Sequence, residues 1–222
     1  MPQLQILGQF NTGTNLLLQM LEGNCQDEAG RDVYMKDTLF AWKHTLHRRI
    51  QVENCLREDN RYVIILYKNV FAWLYSIEKY PYDVMFDALD GPVSMQGYPY
   101  NNLLELYNTY YRMYMDLIHQ YGEKKVIWMD YHRIVDLPTS ADYIRKKLAV
   151  AGLSIVEEAR IGEVLGTSSK MHGKSVQNWE EAMERYPRVM ETYREYVMSR
   201  PSLAASYQES IEQFFEQTEG SL

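Results

Sequence analysis

The chain opens with a stretch that fixes much of its own fold. An apolar run, Leu4 to Leu7, breaks into Gly8-Gln9-Phe10-Asn11-Thr12-Gly13-Thr14-Asn15 and resumes as Leu16-Leu17-Leu18. A short apolar run bounded by a turn suits a buried strand, and the leucines beyond the break suit a helix, so the stretch reads as strand, loop, helix. Gly8 and Gly13, five positions apart, let backbone amides turn inward around an anion, and the following helix adds the positive end of its dipole at the same point. A glycine-rich turn of this kind also serves as a plain tight connection, and the loop alone does not decide between the two.

The spacing is that of the nucleotide loop GxxxxGK[ST] with its last two residues changed. Thr14 stands where a lysine would reach the outer phosphates, and Asn15 stands where a serine or threonine would hold magnesium. Such a loop suits a donor with a single 5'-phosphate joined to a leaving group better than it suits magnesium-ATP. A second phosphate site is then expected elsewhere. The run Arg61-Tyr62-Val63-Ile64-Ile65-Leu66-Tyr67-Lys68 is fit for a buried parallel strand, and Asn69 to Ser76 follows in helical rhythm. In open α/β sheets ligands gather at the carboxyl ends of strands, where Lys68 falls, so it is the candidate cation for that phosphate. Its alternative is a solvated strand end, with Ser76 an ordinary helix residue.

These residues together resemble the sulfotransferases that use 3'-phosphoadenosine 5'-phosphosulfate (PAPS). Thr12-Gly13-Thr14-Asn15 is similar to the second half of the family's 5'-phosphosulfate loop. Lys68 and Ser76 have the eight-residue spacing of its 3'-phosphate motif, with lysine in place of arginine. Phe40-Ala41-Trp42-Lys43-His44 looks like the short strand end that carries the catalytic base, and Val126 to Tyr131 leading to Asp136-Leu137-Pro138 is similar to the late strand of the family. The matches fall in family order over residues 4 to about 150. The resemblance implies a P-loop-like sulfotransferase fold, PAPS as co-substrate with PAP as product, and Asn11, Thr12, Gly13, Thr14, Asn15, Lys68 and Ser76 as donor-binding residues. It further implies a late donor-covering loop at 166–178, from which Lys170 and Lys174 are carried over as phosphate partners, with a plain linker as the other reading of that segment.

Asn11 departs from the family, which usually has a lysine or arginine there. Lys43 is the candidate replacement cation at the leaving phosphate. His44 has the best claim to general base, because histidine titrates near neutrality. His47 is its nearest competitor, followed by Asp37 and Glu53 as carboxylate bases.

At 222 residues and 46% hydrophobic content the chain has enough apolar material for one α/β domain over 1–222. The net charge of -7 argues against tracking nucleic-acid phosphates. Cys25 and Cys55 form no disulfide framework, no run reaches membrane length, and Leu4 to Leu7 enters a strand without a leader, which together predict a cytoplasmic protein.

The coarse order predicted is strand 3–9, helix 14–23, strand 39–44, helix 46–57, strand 61–68 and helix 70–79, in a three-layer α/β/α arrangement around a mostly parallel sheet. Residues 81–100, with Pro81, Gly91, Pro92, Gly97 and Pro99, break both periodicities and read as a long acceptor-binding loop. A long helix over 101–121, a strand over 125–130 and a helix over 140–151 come next, and the α/β pattern ends there. Residues 178–222 read as C-terminal helices over 178–199 and 203–217. The function expected is transfer of a sulfuryl group from PAPS to a hydroxyl of a carbohydrate or small metabolite, without a metal. The rivals are a P-loop kinase and a nucleotide-binding module without catalysis.

Overall fold

The computed structural model describes residues 1–36, 38–167 and 179–210. In chain order the elements are β1 (Gln3–Gly8), α1 (Thr14–Leu21), β2 (Cys25–Asp27), β3 (Tyr34–Met35), α2 (Arg49–Leu56), β4 (Arg61–Tyr67) and α3 (Val70–Lys79). Then come β5 (Val84–Phe86), β6 (Val93–Met95), β7 (Tyr98–Tyr100), α4 (Leu103–Tyr121), β8 (Val126–Asp130), α5 (Tyr131–Val135) and α6 (Ser140–Ala149). The last are β9 (Leu153–Ile155), α7 (Ala159–Thr167), α8 (Trp179–Met198) and α9 (Pro201–Gln208). The chain divides into two compact units, each built from two stretches: Met1–Tyr67 with Asp116–Glu184, and Lys68–Met115 with Arg185–Leu222.

The first unit is α/β around a four-stranded, all-parallel sheet in the order β3-β1-β4-β8. Its register lines up Ile6, Ile64 and Ile127 across three strands, with Leu66 beside Met129 in the next row. These side chains join Leu17, Met20 and Leu21 of α1, Ile144 and Leu148 of α6, and Ile161 and Leu165 of α7 in one apolar cluster. The residues of opposite parity, Leu7, Val63, Ile65 and Val126, are fully buried as well. Burial on both faces is why β4 reads as an unbroken apolar run rather than an alternating one. The chain leaves β1 toward β3 on one side and leaves β4 toward β8 on the other. The carboxyl ends of β1 and β4 therefore flank a topological switch point, the usual place for a ligand in an open sheet.

The second unit contains a three-stranded antiparallel sheet, β5-β6-β7, together with helices. Within it the rings of Phe71 and Tyr207 lie 5.1 Å apart and those of Trp73 and Tyr107 5.4 Å apart. Asn102 Nδ2 donates to Ser206 Oγ at 3.1 Å and Asn108 Nδ2 to the Ser206 carbonyl at 2.8 Å, tying α4 to α9.

Three sequence expectations are corrected. Residues 39–44 form no strand; the strand beside β1 is β3, at Tyr34–Met35. The 40–43 segment is held instead by the Gln5 side chain and by a bond from Gly8 N to the Lys43 carbonyl at 3.0 Å, and a turn from Thr45 N to the Trp42 carbonyl at 2.8 Å ends it before a ladder forms. Residues 81–100 are not a structureless loop. Their strands are three residues long, too short to show alternation, and β6 and β7 are joined by Gln96-Gly97, both at positive φ (55° and 82°), with Met95 opposite Tyr98. That is the two-residue turn whose twist suits a hairpin. The pattern also continues past residue 151: β9 pairs antiparallel with β2, and α7 follows.

Candidate functional site

Gly8 ends β1, and the next five residues make the loop. A Cβ at position 8 would overlap Thr12 Oγ1 and lie 3.1 Å from Thr14 Cγ2 and 3.3 Å from Leu66 Cβ, so only glycine fits. The Thr12 hydroxyl, fully buried, donates to the Gln9 carbonyl at 2.7 Å and closes the loop on itself. Asn11 and Gly13 both have left-handed backbone, at φ 62° and 83°. A Cβ at Gly13 would stand 2.7 Å from the ring of Tyr131, the first residue of α5. Tyr131 is buried, which pushes its phenol pKa well up and keeps the ring neutral, so it acts as the wall that shapes the loop. Gly13 also precedes α1 and brings no side chain to cap it, which leaves the first-turn amides available to a bound anion.

The 40–44 segment meets this loop at two points. Lys43 Nζ donates to Asn15 Oδ1, at the start of α1. His44 Nδ1 lies 2.8 Å from the Gly8 carbonyl oxygen. A carbonyl only accepts, so Nδ1 carries the proton and a neutral ring keeps its basic lone pair on Nε2. Phe10 stacks on the imidazole at 4.5 Å and 26°, and Trp42 meets it edge-on at 5.3 Å and 88°. The bond to Gly8 and the rings of Phe10 and Trp42 thus orient it. Among the competing bases, His47 is exposed, with its pKa moved down by what desolvation its ring has. Glu53 is taken up by Arg49, whose Nε lies 2.5 Å from its carboxylate. Asp37 lies outside the described residues.

In the second unit, Lys68 and Ser76 come together as their spacing suggests: Lys68 Nζ donates to Ser76 Oγ at 2.7 Å. The reading of Lys68 as a solvated strand end is not met, because it is only 5% exposed. Its backbone is fixed by two tyrosines of α4, with Lys68 N donating to Tyr111 Oη at 3.2 Å and Tyr107 Oη donating to the Lys68 carbonyl at 2.9 Å. Ser76 Oγ donates in turn to the Ala72 carbonyl at 3.0 Å. Lys68, just before the Asn69 cap of α3, and Ser76, two turns into that helix, thus hold a cation and a hydroxyl side by side, a pair that suits one phosphate group. Lys170 and Lys174 lie outside the described residues.

Sequence reasoning missed Gln5, the Gly8 carbonyl and the wall role of Tyr131, since each acts through a contact far along the chain. A surface groove of about 480 Å³, lined by Arg31, Tyr62, Lys124 and Gly152 among others, opens near the amino end of β4 rather than at the loop. Among the described residues no group of three or more His, Cys, Asp and Glu side chains is arranged to hold a metal ion, and no helix is long and apolar enough to cross a membrane. A scan against protein-family models finds no match for the chain, and a search of curated proteins finds none.

Proposed function

We propose that the protein is a sulfotransferase that moves the sulfuryl group of PAPS to a hydroxyl of a carbohydrate or small-molecule acceptor and releases PAP. The observation that carries this reading is the meeting of Lys43 and His44 with the glycine-bounded loop, Lys43 at Asn15 and His44 at the Gly8 carbonyl. The loop's lack of a lysine at position 14 and of a hydroxyl at position 15 speaks for a donor that needs no magnesium ligand there. In this reading the α1 amides and the loop bind the 5'-phosphate end of the donor, and Lys68 with Ser76 is assigned the 3'-phosphate. His44 Nε2 takes the acceptor's proton as the acceptor oxygen attacks sulfur. The bond between sulfur and the bridging oxygen breaks, and the charge that gathers on the departing phosphate is stabilised by Lys43 and the helix amides.

A P-loop-like sulfotransferase fold in three α/β/α layers agrees with the parallel sheet and its β1-loop-α1 start. A reducing, cytoplasmic setting suits Cys25 and Cys55, both free thiols.

The deciding test is transfer of label from radioactive PAPS to a panel of sugars, phenols and amines, alongside calorimetry with PAP and with ATP in the presence and absence of magnesium. Labelled product and PAP binding are expected. Binding of magnesium-ATP without PAP would replace the reading with a P-loop kinase, and PAP binding without transfer to any acceptor would leave a non-catalytic nucleotide-binding module.

A further inference from the structure

Gln5 is the polar side chain that the apolar pattern of β1 does not account for. It is fully buried, in one row across the sheet with Val63 and Val126. A buried amide persists where its polar atoms are bonded, and here both of them bond the backbone of Phe40 and Ala41. Gln5 Oε1 accepts from Phe40 N at 2.6 Å and from Ala41 N at 3.0 Å, and Gln5 Nε2 donates to the Ala41 carbonyl. The two faces of the amide thus read a backbone segment as an adjacent strand would, with acceptor to N–H and donor to carbonyl. Two residues further on, Gly8 N takes the Lys43 carbonyl and the Gly8 carbonyl takes His44 Nδ1. The segment is therefore pinned to β1 at two places, by a side chain at its start and by the backbone at its end.

We infer that Gln5 is a positioning residue for Lys43 and His44, standing in for the strand pairing that residues 39–44 do not make. Its effect on catalysis rests on the sulfotransferase reading, while the placement itself does not. Without the amide, Phe40 and Ala41 lose their anchor, the segment swings about Gly8, and His44 no longer keeps Nδ1 on the carbonyl.

The test uses the whole chain, labelled with nitrogen-15, with Gln5→Met, which keeps length and burial, and Gln5→Glu, which keeps the acceptor but not the donor. In the unaltered protein the Phe40 and Ala41 amides and one Gln5 side-chain proton should exchange slowly, and the neutral His44 ring should carry its proton on Nδ1. In Gln5→Met those two backbone amides should exchange about tenfold faster, the His44 ring proton should redistribute toward Nε2, and kcat should fall about 100-fold with donor KM held. Gln5→Glu should fall between. A folded Gln5→Met with unchanged exchange and an unchanged His44 tautomer overturns the inference. If Gln5→Met does not fold, fast exchange of the Gln5 side-chain protons in the unaltered protein overturns it just as well. A tautomer change in Gln5→Met with no sulfuryl transfer by the unaltered protein upholds the positioning role and removes the sulfotransferase reading.

Discussion

At Asn11 the backbone accounts for the residue type. A φ of 62° is strained for most side chains, and asparagine is among the few that adopt it readily, so a lysine or arginine there would work against the loop's own shape. Asn11→Val should cost about 1–2 kcal/mol more than Asn11→Gly, read as a lower denaturant midpoint; equal midpoints for the two would count against the backbone argument. Gly13→Ala is expected to be worse. It combines a φ of 83° with a methyl 2.7 Å from the Tyr131 ring, so about 2–4 kcal/mol of stability should be lost, along with PAP binding by calorimetry. At Lys68 the partner is Ser76, and Lys68→Met keeps the stem while removing the charge. Its dissociation constant for PAP should rise about 10- to 100-fold while that for adenosine 5'-phosphosulfate, which lacks the 3'-phosphate, stays level; equal weakening of both would defeat the assignment. The Lys68–Ser76 pair was legible because eight residues of strand end and helix carry a fixed geometry. The Gly8–His44 contact was not, because it depends on how a non-repetitive segment crosses the sheet.

Among the elements, β1, β4 and β8 were legible because burial on both faces leaves long apolar runs, and α1, α3 and α4 because their stripes keep helical spacing. β2, β3 and β9 span two or three residues, too few to show a period. The 39–44 stretch reads as a strand from its apolar content, yet it is held to β1 without a ladder, by the Gln5 side chain and by the Gly8 amide and carbonyl. The turn after β2 offers a pH test. Asp27 accepts from Ala29 N at 3.1 Å, from Arg31 N at 2.9 Å and from Arg31 Nε at 2.8 Å, and the Arg31 guanidinium holds its carboxyl below the usual range. Because the folded pKa is the lower one, this contribution is present above the unfolded value and is lost as pH falls through the folded value. The urea midpoint should therefore drop below about pH 4, and Asp27→Asn should flatten that part of the drop; an unchanged acid limb in the variant would count against the carboxylate's role.

Across the whole molecule, neither unit is made from one continuous stretch of chain. A fragment ending at Met115 lacks β8, α5 and α6 of the first unit and α9 of the second. Such a fragment should show no cooperative thermal transition by circular dichroism, because the Ile64 and Leu66 rows lose Ile127 and Met129. The same strand order bears on how the protein is made. When β4 leaves the ribosome, its parallel neighbour β8 does not yet exist, and everything from Lys68 to Lys125 must be synthesised first. At ribosomal speeds this delay is roughly 3–12 s. Throughout it the Val63-Ile64-Ile65-Leu66 edge is uncovered, a β-rich run without charge or proline of the kind that seeds aggregation. Yield in the cell should therefore depend on chaperone supply during that interval, even where the finished protein is stable.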